Sequence, residues 1–463
     1  MAAKKAAASA EMANVARHFA GRMAIGTNYP ATVAKEGIKH TQVMQNGTRE
    51  MMVIGAACSE IFHGPRLAKI LAPGLELQAQ AMQALLNNEA APCLSMHTSA
   101  GVPAALDDFV ATLGPHLPWA DSEDANDWCV SLQLEGASAV WAACDLLLQM
   151  QHDDAAHLAA STKKKIAVGR NSYHGPGFNC LGSASPLGPD AKNHIQIPYP
   201  IPAITAMHEG ETETAFHARI EEEFEAFLQA HAHEVGVVLF EPQWGSSLAA
   251  QPWPAELLRS CVSRAKAHDL MVCADEIMCG LGRHGKGTTF LSDAWSLDVD
   301  AVTFGKAIAG GAGDALAGVA VRHAHRLQNN GRSALQMHTY AGSSVRALYT
   351  ATEVLRELPA WHNHISASES ILSRTLGEIE VASGGTLKCH GQGLMWGGLF
   401  TFPDMDQKRK ATARLRGACE EEGVWPYFVP AGGFMITPVL DVDSGQLEEA
   451  MSRLNSAVLK AVA

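Results

Sequence analysis

The chain has 463 residues, 47% of them hydrophobic and 18% charged, the profile of a globular protein large enough for a sizeable core and more than one domain, not of a disordered chain. Its formal charge is -13, with no basic stripe, which argues against nucleic acid or an anionic membrane surface as partner. No apolar run reaches the ~18 residues that a membrane-spanning helix needs.

The first segment, Met1 to Ala24, is Ala-rich and carries Lys4, Lys5, Arg17 and Arg22. It lacks the long apolar stretch and cleavage site of a secretory signal. It reads as a partly helical arm of a cytoplasmic protein, with a mitochondrial presequence as the minor alternative. The ten cysteines form no CxxC pair and read as reduced core residues. Three HxH pairs occur, His231/His233, His323/His325 and His362/His364, and none has Cys or carboxylate company at a ligand-like spacing. No metal site is expected.

The first hundred residues look less regular than the rest. Strands are predicted at Trp128–Leu134, Lys165–Gly169, Val235–Phe240, Leu270–Ala274, Ala301–Phe304 and Leu316–Val321. Helical patterns lie between them at Ser138–Met150, Glu213–His231 and Ala255–His268, the last preceded by Pro252 and Pro254. This alternation predicts an α/β domain with a mostly parallel sheet covered by helices. A helix over Arg346–Leu358 leads out of it. The remainder reads as α+β: helix Ser366–Val381, strands around Gly393–Phe400, helix Gln407–Glu422, strands around Val424–Val439 and helix Gln446–Val462. The expected division is 1–75 as a segment packing with the small domain, 76–350 as the large domain and 351–463 as the small domain.

Chemistry concentrates between Val235 and Arg322. Glu241 and Asp275 fall at predicted strand ends, as does Lys306, 31 residues beyond Asp275. Open parallel sheets place ligands at the C-terminal ends of their strands. A lysine there suits Schiff-base chemistry with a carbonyl, and a facing carboxylate suits a pyridinium nitrogen. By spacing alone, an ordinary loop acid and a surface lysine fit equally well.

The motifs narrow the choice. Glu241-Pro242 is followed by Asp275-Glu276-Ile277-Met278-Cys279-Gly280-Leu281-Gly282-Arg283 and by Gly305-Lys306-Ala307-Ile308-Ala309-Gly310-Gly311. Together they resemble the class III aminotransferases, which are fold type I enzymes dependent on pyridoxal 5'-phosphate, from roughly Gly47 to the C-terminus. The resemblance implies Lys306 as the lysine that holds the cofactor and moves the proton, and Asp275 as the partner of the ring nitrogen. Tyr173-His174-Gly175 resembles the family's aromatic-His-Gly, with Tyr173 stacking on the ring and Ile277 covering its other face. Glu241 would line the pocket, and Gly136 and Ala137 would bind the phosphate at a helix N-terminus. Thr339 resembles the threonine that reaches the phosphate from a second subunit, which implies a homodimer with shared sites.

Two departures stand out. Glu135-Gly136-Ala137-Ser138 occupies the place of S-G-[ST]-E, so a carboxylate replaces a hydroxyl; it is expected to point away from the phosphate or pair with a cation. Near the C-terminus, Met435 stands where many members have the arginine that grips a substrate carboxylate. Arg22, Arg49 and Arg170 are the substitutes considered, and Gly26-Thr27-Asn28-Tyr29-Pro30 resembles the glutamate-1-semialdehyde aminomutase branch. Transfer of an amino group between an amine or amino acid and a carbonyl compound is therefore the leading expectation. A lyase or aminomutase on the same scaffold is the alternative, and an inactive scaffold the third reading.

Overall fold

The computed structural model describes residues 32–44, 47–55, 60–89, 102–152, 155–169, 172–175, 194–197, 207–208, 210–311, 315–329 and 344–462. The first described segment is an antiparallel meander of β1 (Thr32–Glu36), β2 (Lys39–Met44) and β3 (Gly47–Val53). It is followed by a 23-residue helix, Gly64–Leu86, which runs through the expected 75/76 boundary and contains Pro73. This is more regular than expected. The helix has an internal proline, and in the meander alternation is broken by Met51 and Met52, both fully buried.

The central sheet contains β4 (Trp128–Gln133), β5 (Lys165–Gly169), β6 (His194–Ile197), β7 (Val235–Phe240), β8 (Met271–Asp275), β9 (Ala301–Phe304) and β10 (Ala317–Arg322). Their spatial order is β4-β10-β9-β8-β7-β5-β6. All pairings are parallel except those of β10, which is antiparallel to both β4 and β9. The sheet is thus mostly parallel, as expected.

Its central strands β7, β8 and β9 are buried on both faces, so they read as near-continuous apolar runs. In β7, Val238 and Phe240 face one core while Val237 and Leu239 face the other. Val272 and Ala274 against Met271 and Cys273 repeat the split in β8. Helices Glu213–His231 and Ala255–Ala267 cover the first face through Phe216, Ile220, Phe224, Leu258 and Val262. Helix Gly136–Gln149 covers the second through Val140, Leu146 and Leu147. Each such aliphatic side chain contributes roughly 1.5–3 kcal/mol on burial, so the three layers form one rigid platform beneath the strand ends.

The C-terminal part folds as β11 (Leu387–Gln392), β12 (Met395–Phe400), β13 (Val424–Trp425), β14 (Tyr427–Val429) and β15 (Gly433–Ile436), with helices His362–Ala382, Met405–Glu422 and Ser444–Val462. Four of these strands form the sheet β11-β12-β15-β14, while β13 joins the N-terminal meander in parallel with β3. The helix boundaries have local causes. The Asp404 carboxylate accepts from the N–H groups of Asp406 and Gln407, and Gly423 closes the same helix in the left-handed conformation at φ 71°.

Arg283, the last residue of the Asp275–Arg283 motif, is 2% exposed and ties these parts together. Its guanidinium donates to the carbonyls of Leu394 (3.4 Å), Glu60 (3.1 Å) and Pro438. Near the opposite edge of the sheet, His323 does have carboxylate company, contrary to its sequence spacing. Asp124 and Asp127 lie close enough to it to share an ion. Arg322 already supplies the cation there, bridging Asp124 (2.6 Å) and Asp298 (2.9 Å).

Candidate active site

β7, β8 and β9 are adjacent and parallel, and a chemically useful residue stands at or just past the C-terminal end of each: Glu241, Asp275 and Lys306. Across β10 lies the start of helix Gly136–Gln149, and beyond β5 come Tyr173 and His174. All of these side chains, with Gly136, Ala137 and Ile277, line a single cleft of 320 Å³. Eight of the nine residues proposed for the site therefore come together. The ninth, Thr339, lies outside the described residues, as do Arg22, Arg170 and the segment Gly26–Pro30.

Lys306 follows Gly305 on a short helical turn, Lys306–Ala309, and has a left-handed backbone at φ 49°. For a residue with a long side chain this costs about 1–3 kcal/mol and is characteristic of functional sites. Gly310, at φ 81°, ends the turn and sends the chain back as antiparallel β10.

Asp275 is 6% exposed. His174 Nδ1 donates to its Oδ2 (2.7 Å), while the Ile277 N–H (3.2 Å) and the Thr303 hydroxyl (3.0 Å) donate to Oδ1. Burial pushes its pKa up, but these donors and the His174 charge outweigh it and hold the carboxyl below its ordinary value. Burial pulls His174 down, yet the Asp275 bond and the charges of Asp275 and Glu241 leave it raised. Glu241 accepts from the Tyr173 N–H (2.9 Å) and the Gly245 N–H (3.2 Å), and burial lifts it to about 7.

At the phosphate end of the cleft, Glu135 is the N-cap of helix Gly136–Gln149 without a side-chain bond to a backbone N–H. The first amides of a helix have no intrahelical acceptor and present a positive dipole end. Close approach is built in. A Cβ on Gly136 would lie 2.9 Å from the Ile277 Cδ1, and one on Gly175, at φ 96°, would lie 2.4 Å from the Ala137 Cβ.

The class-III aminotransferase model matches residues 78–458 of the chain. The chain belongs to this family. Among its relatives, gamma aminobutyrate transaminase 2 of Solanum lycopersicum is 30% identical over 155 residues, 32% of this chain and 33% of that protein. The match thus spans about a third of the relative's length. The uncharacterized aminotransferase YodT of Bacillus subtilis (strain 168) is 27% identical over 322 residues, covering 64% of this chain and 71% of that one. The structure of a thermostable (S)-enantioselective omega-transaminase from Thermomicrobium roseum superposes with a TM-score of 0.78 at 20% identity, over 97% of this chain and 99% of that one. That likeness establishes the fold, fold type I.

The family's cofactor is pyridoxal 5'-phosphate, and the residues of the cleft fit it. The buried His174 Nε2 has no partner among the described residues. Asp275 keeps acceptor capacity beyond its three bonds. The helix N-terminus at Gly136 offers free amides to an anion.

Sequence reasoning missed Gly245, Ser246, Met278 and Tyr427, which also line the cleft. Tyr427 comes from the C-terminal part, on β14 opposite Met435 of β15, and no local pattern points to it. Met435 itself is fully buried in the core and is not among the residues lining the cleft. Arg49 donates to Gln42 on the meander (2.6 Å) and is not among them either.

Proposed function

We propose that the chain is a pyridoxal-phosphate-dependent aminotransferase acting on a small amine and a carbonyl acceptor. The observation that carries this reading is the convergence of Lys306 and Asp275, from adjacent parallel strands, on one cleft beside the helix N-terminus. Pyridoxal phosphate, when bound, supplies an electron sink for the bond broken at the substrate carbon. The protein residues do the rest. Asp275, held below its ordinary pKa beside His174, would accept from the ring nitrogen and keep it protonated. Lys306 Nζ would hold the cofactor between turnovers and carry the proton during them. Tyr173 and Ile277 would hold its ring, and the amides of Gly136 and Ala137 would take its phosphate. The same reading includes a cytoplasmic homodimer in which Thr339 completes the neighbouring site.

For the substrate, the position that many members give to a carboxylate-gripping arginine is taken by Met435, sealed in the core. This favours an amine whose nitrogen is not next to a carboxylate, as in the γ-aminobutyrate for which the tomato relative is named. It also keeps a lyase or aminomutase as the second reading. The visible spectrum of the holoenzyme, followed while an amine panel is added without a keto acid, separates them. Lasting loss of the cofactor's yellow band, with carbonyl product and no free ammonia, is the expected result. Recovery of the band while ammonia accumulates would show a lyase instead.

A further inference from the structure

Glu135 finds no cation among the described residues. It lines the same cavity as Gly136, Ala137 and Lys306. Its one polar contact among the described residues is the Ser138 hydroxyl, which donates to Oε1 at 3.3 Å. Ser138 is the third residue of the helix, so that bond folds the carboxylate over the first turn. A fixed negative charge therefore stands at the end of the cavity where the helix dipole and unpaired amides recruit an anion. Tyr173 feels it, since the charge of Glu135 is among the causes that raise the phenol's pKa.

We propose that Glu135 is a resident anion that opposes the cofactor phosphate at the N-terminus of helix Gly136–Gln149, so that the chain holds the phosphorylated cofactor loosely and exchanges it readily. The inference rests on the proposed function, because it takes the amides of Gly136 and Ala137 as the phosphate site. The physical argument concerns sign. Two like charges within the first turn of one helix repel, and at a half-exposed site such a repulsion readily changes an equilibrium by a factor of ten. The helix dipole favours either anion but not both. The opposition is specific to the phosphate, since it leaves the bonding of the pyridine ring by Asp275 and of the aldehyde by Lys306 unaltered. It is also electrostatic, so salt screens it over a Debye length of about 10 Å at 0.1 M.

The test uses the full chain stripped of cofactor and titrated with pyridoxal phosphate or with unphosphorylated pyridoxal, binding being read from absorbance and from quenching of protein fluorescence. Glu135→Gln, which keeps the shape and removes the charge, is expected to tighten pyridoxal phosphate about tenfold and leave pyridoxal unchanged. The gap between wild type and variant should shrink as salt rises. Glu135→Ser, which restores a favoured N-cap, is expected to tighten phosphate binding at least as much and guards against a folding defect in the first variant. Equal or weaker binding of pyridoxal phosphate by both variants overturns the proposal while leaving the proposed function standing. Equal tightening of pyridoxal also overturns it, because the effect would then be one of packing. Failure of the wild type and of both variants to bind pyridoxal phosphate overturns the proposed function as well.

Discussion

Two ends of the cleft obey different rules. At the inner end Glu241, Asp275 and Lys306 stand at or just past the ends of three adjacent strands, and the two carboxylates are buried and bonded to their immediate surroundings. At the outer end Glu135 is exposed, Tyr173 is 43% exposed, and Tyr427 arrives from a different sheet. The inner end is set by short local patterns, since a strand, a turn and a glycine suffice to aim each group. The outer end is set by how distant parts of the chain pack. The groups proposed for the chemistry are therefore placed by local pattern, and the mouth of the cleft by long-range packing.

The sharpest way to break this comparison is at its inner end. Lys306→Ala is expected to cut transamination by about 10⁴-fold or more, because no other amine lines the described cleft to hold the cofactor or move the proton. The bound cofactor should also lose its lysine-linked absorption. Retained turnover with retained absorption would remove the lysine from the centre of the site.

Next comes the junction that holds the two ends together. Arg283→Ala leaves three carbonyls, those of Leu394, Pro438 and Glu60, without their shared donor in a buried place. The expected cost is about 3–5 kcal/mol, read as a fall in the denaturant midpoint. Loss of activity at full stability would instead place the arginine in the reaction.

What the sequence made legible follows the same division. Six of the seven central strands were readable to within a residue or so, because each reads as an apolar run, whereas the four-residue edge strand β6 was not predicted. β8 starts one residue later than its pattern and extends to Asp275, which gives that acid its place on the strand end. The site residues next to strand ends were readable for the same reason. Arg283 was visible as a motif member, but its three carbonyl partners, contributed by distant segments, were not. Tyr427 left no signal, since a tyrosine in a three-residue strand looks like any core aromatic. His323 was misjudged because its carboxylates lie about 200 residues away in sequence, a separation the fold closes through the pairing of β10 with β4.

A gentler probe separates charge from packing at the inner end. Glu241 and Glu276 are both raised to about 7 by burial, against an ordinary value of 4.5. The folded state thus binds these protons more tightly than the unfolded one, so each group lowers stability as pH rises from about 4.5 to about 7. With the cofactor removed, Glu241→Gln should flatten that decline by about 1–3 kcal/mol, measured as denaturant stability at pH 5 and pH 8. Glu276, which accepts from the Ser292 N–H (2.8 Å) and hydroxyl (2.5 Å), would account for the slope that remains. An unchanged slope would mean that Glu241 is not the proton-binding group.

The smallest effect belongs to the outer end, and it decides whether that end contributes a surface or a charge. Tyr173 is anchored by its own N–H to Glu241 (2.9 Å), so its backbone belongs to the inner end while its ring stands in the cleft mouth. Burial first, then Tyr427 and Glu135, push its phenol pKa above the usual value. The group therefore stays neutral at physiological pH, and its contribution is the ring face. Offset stacking is worth roughly 0.5–1.5 kcal/mol beyond area burial. Tyr173→Phe should leave cofactor affinity within about twofold, and Tyr173→Ala should weaken it about tenfold, both read by titration of the cofactor-free protein. If Phe were as damaging as Ala, the hydroxyl would be the working part, and the mouth of the cleft would be a polar site rather than an aromatic wall.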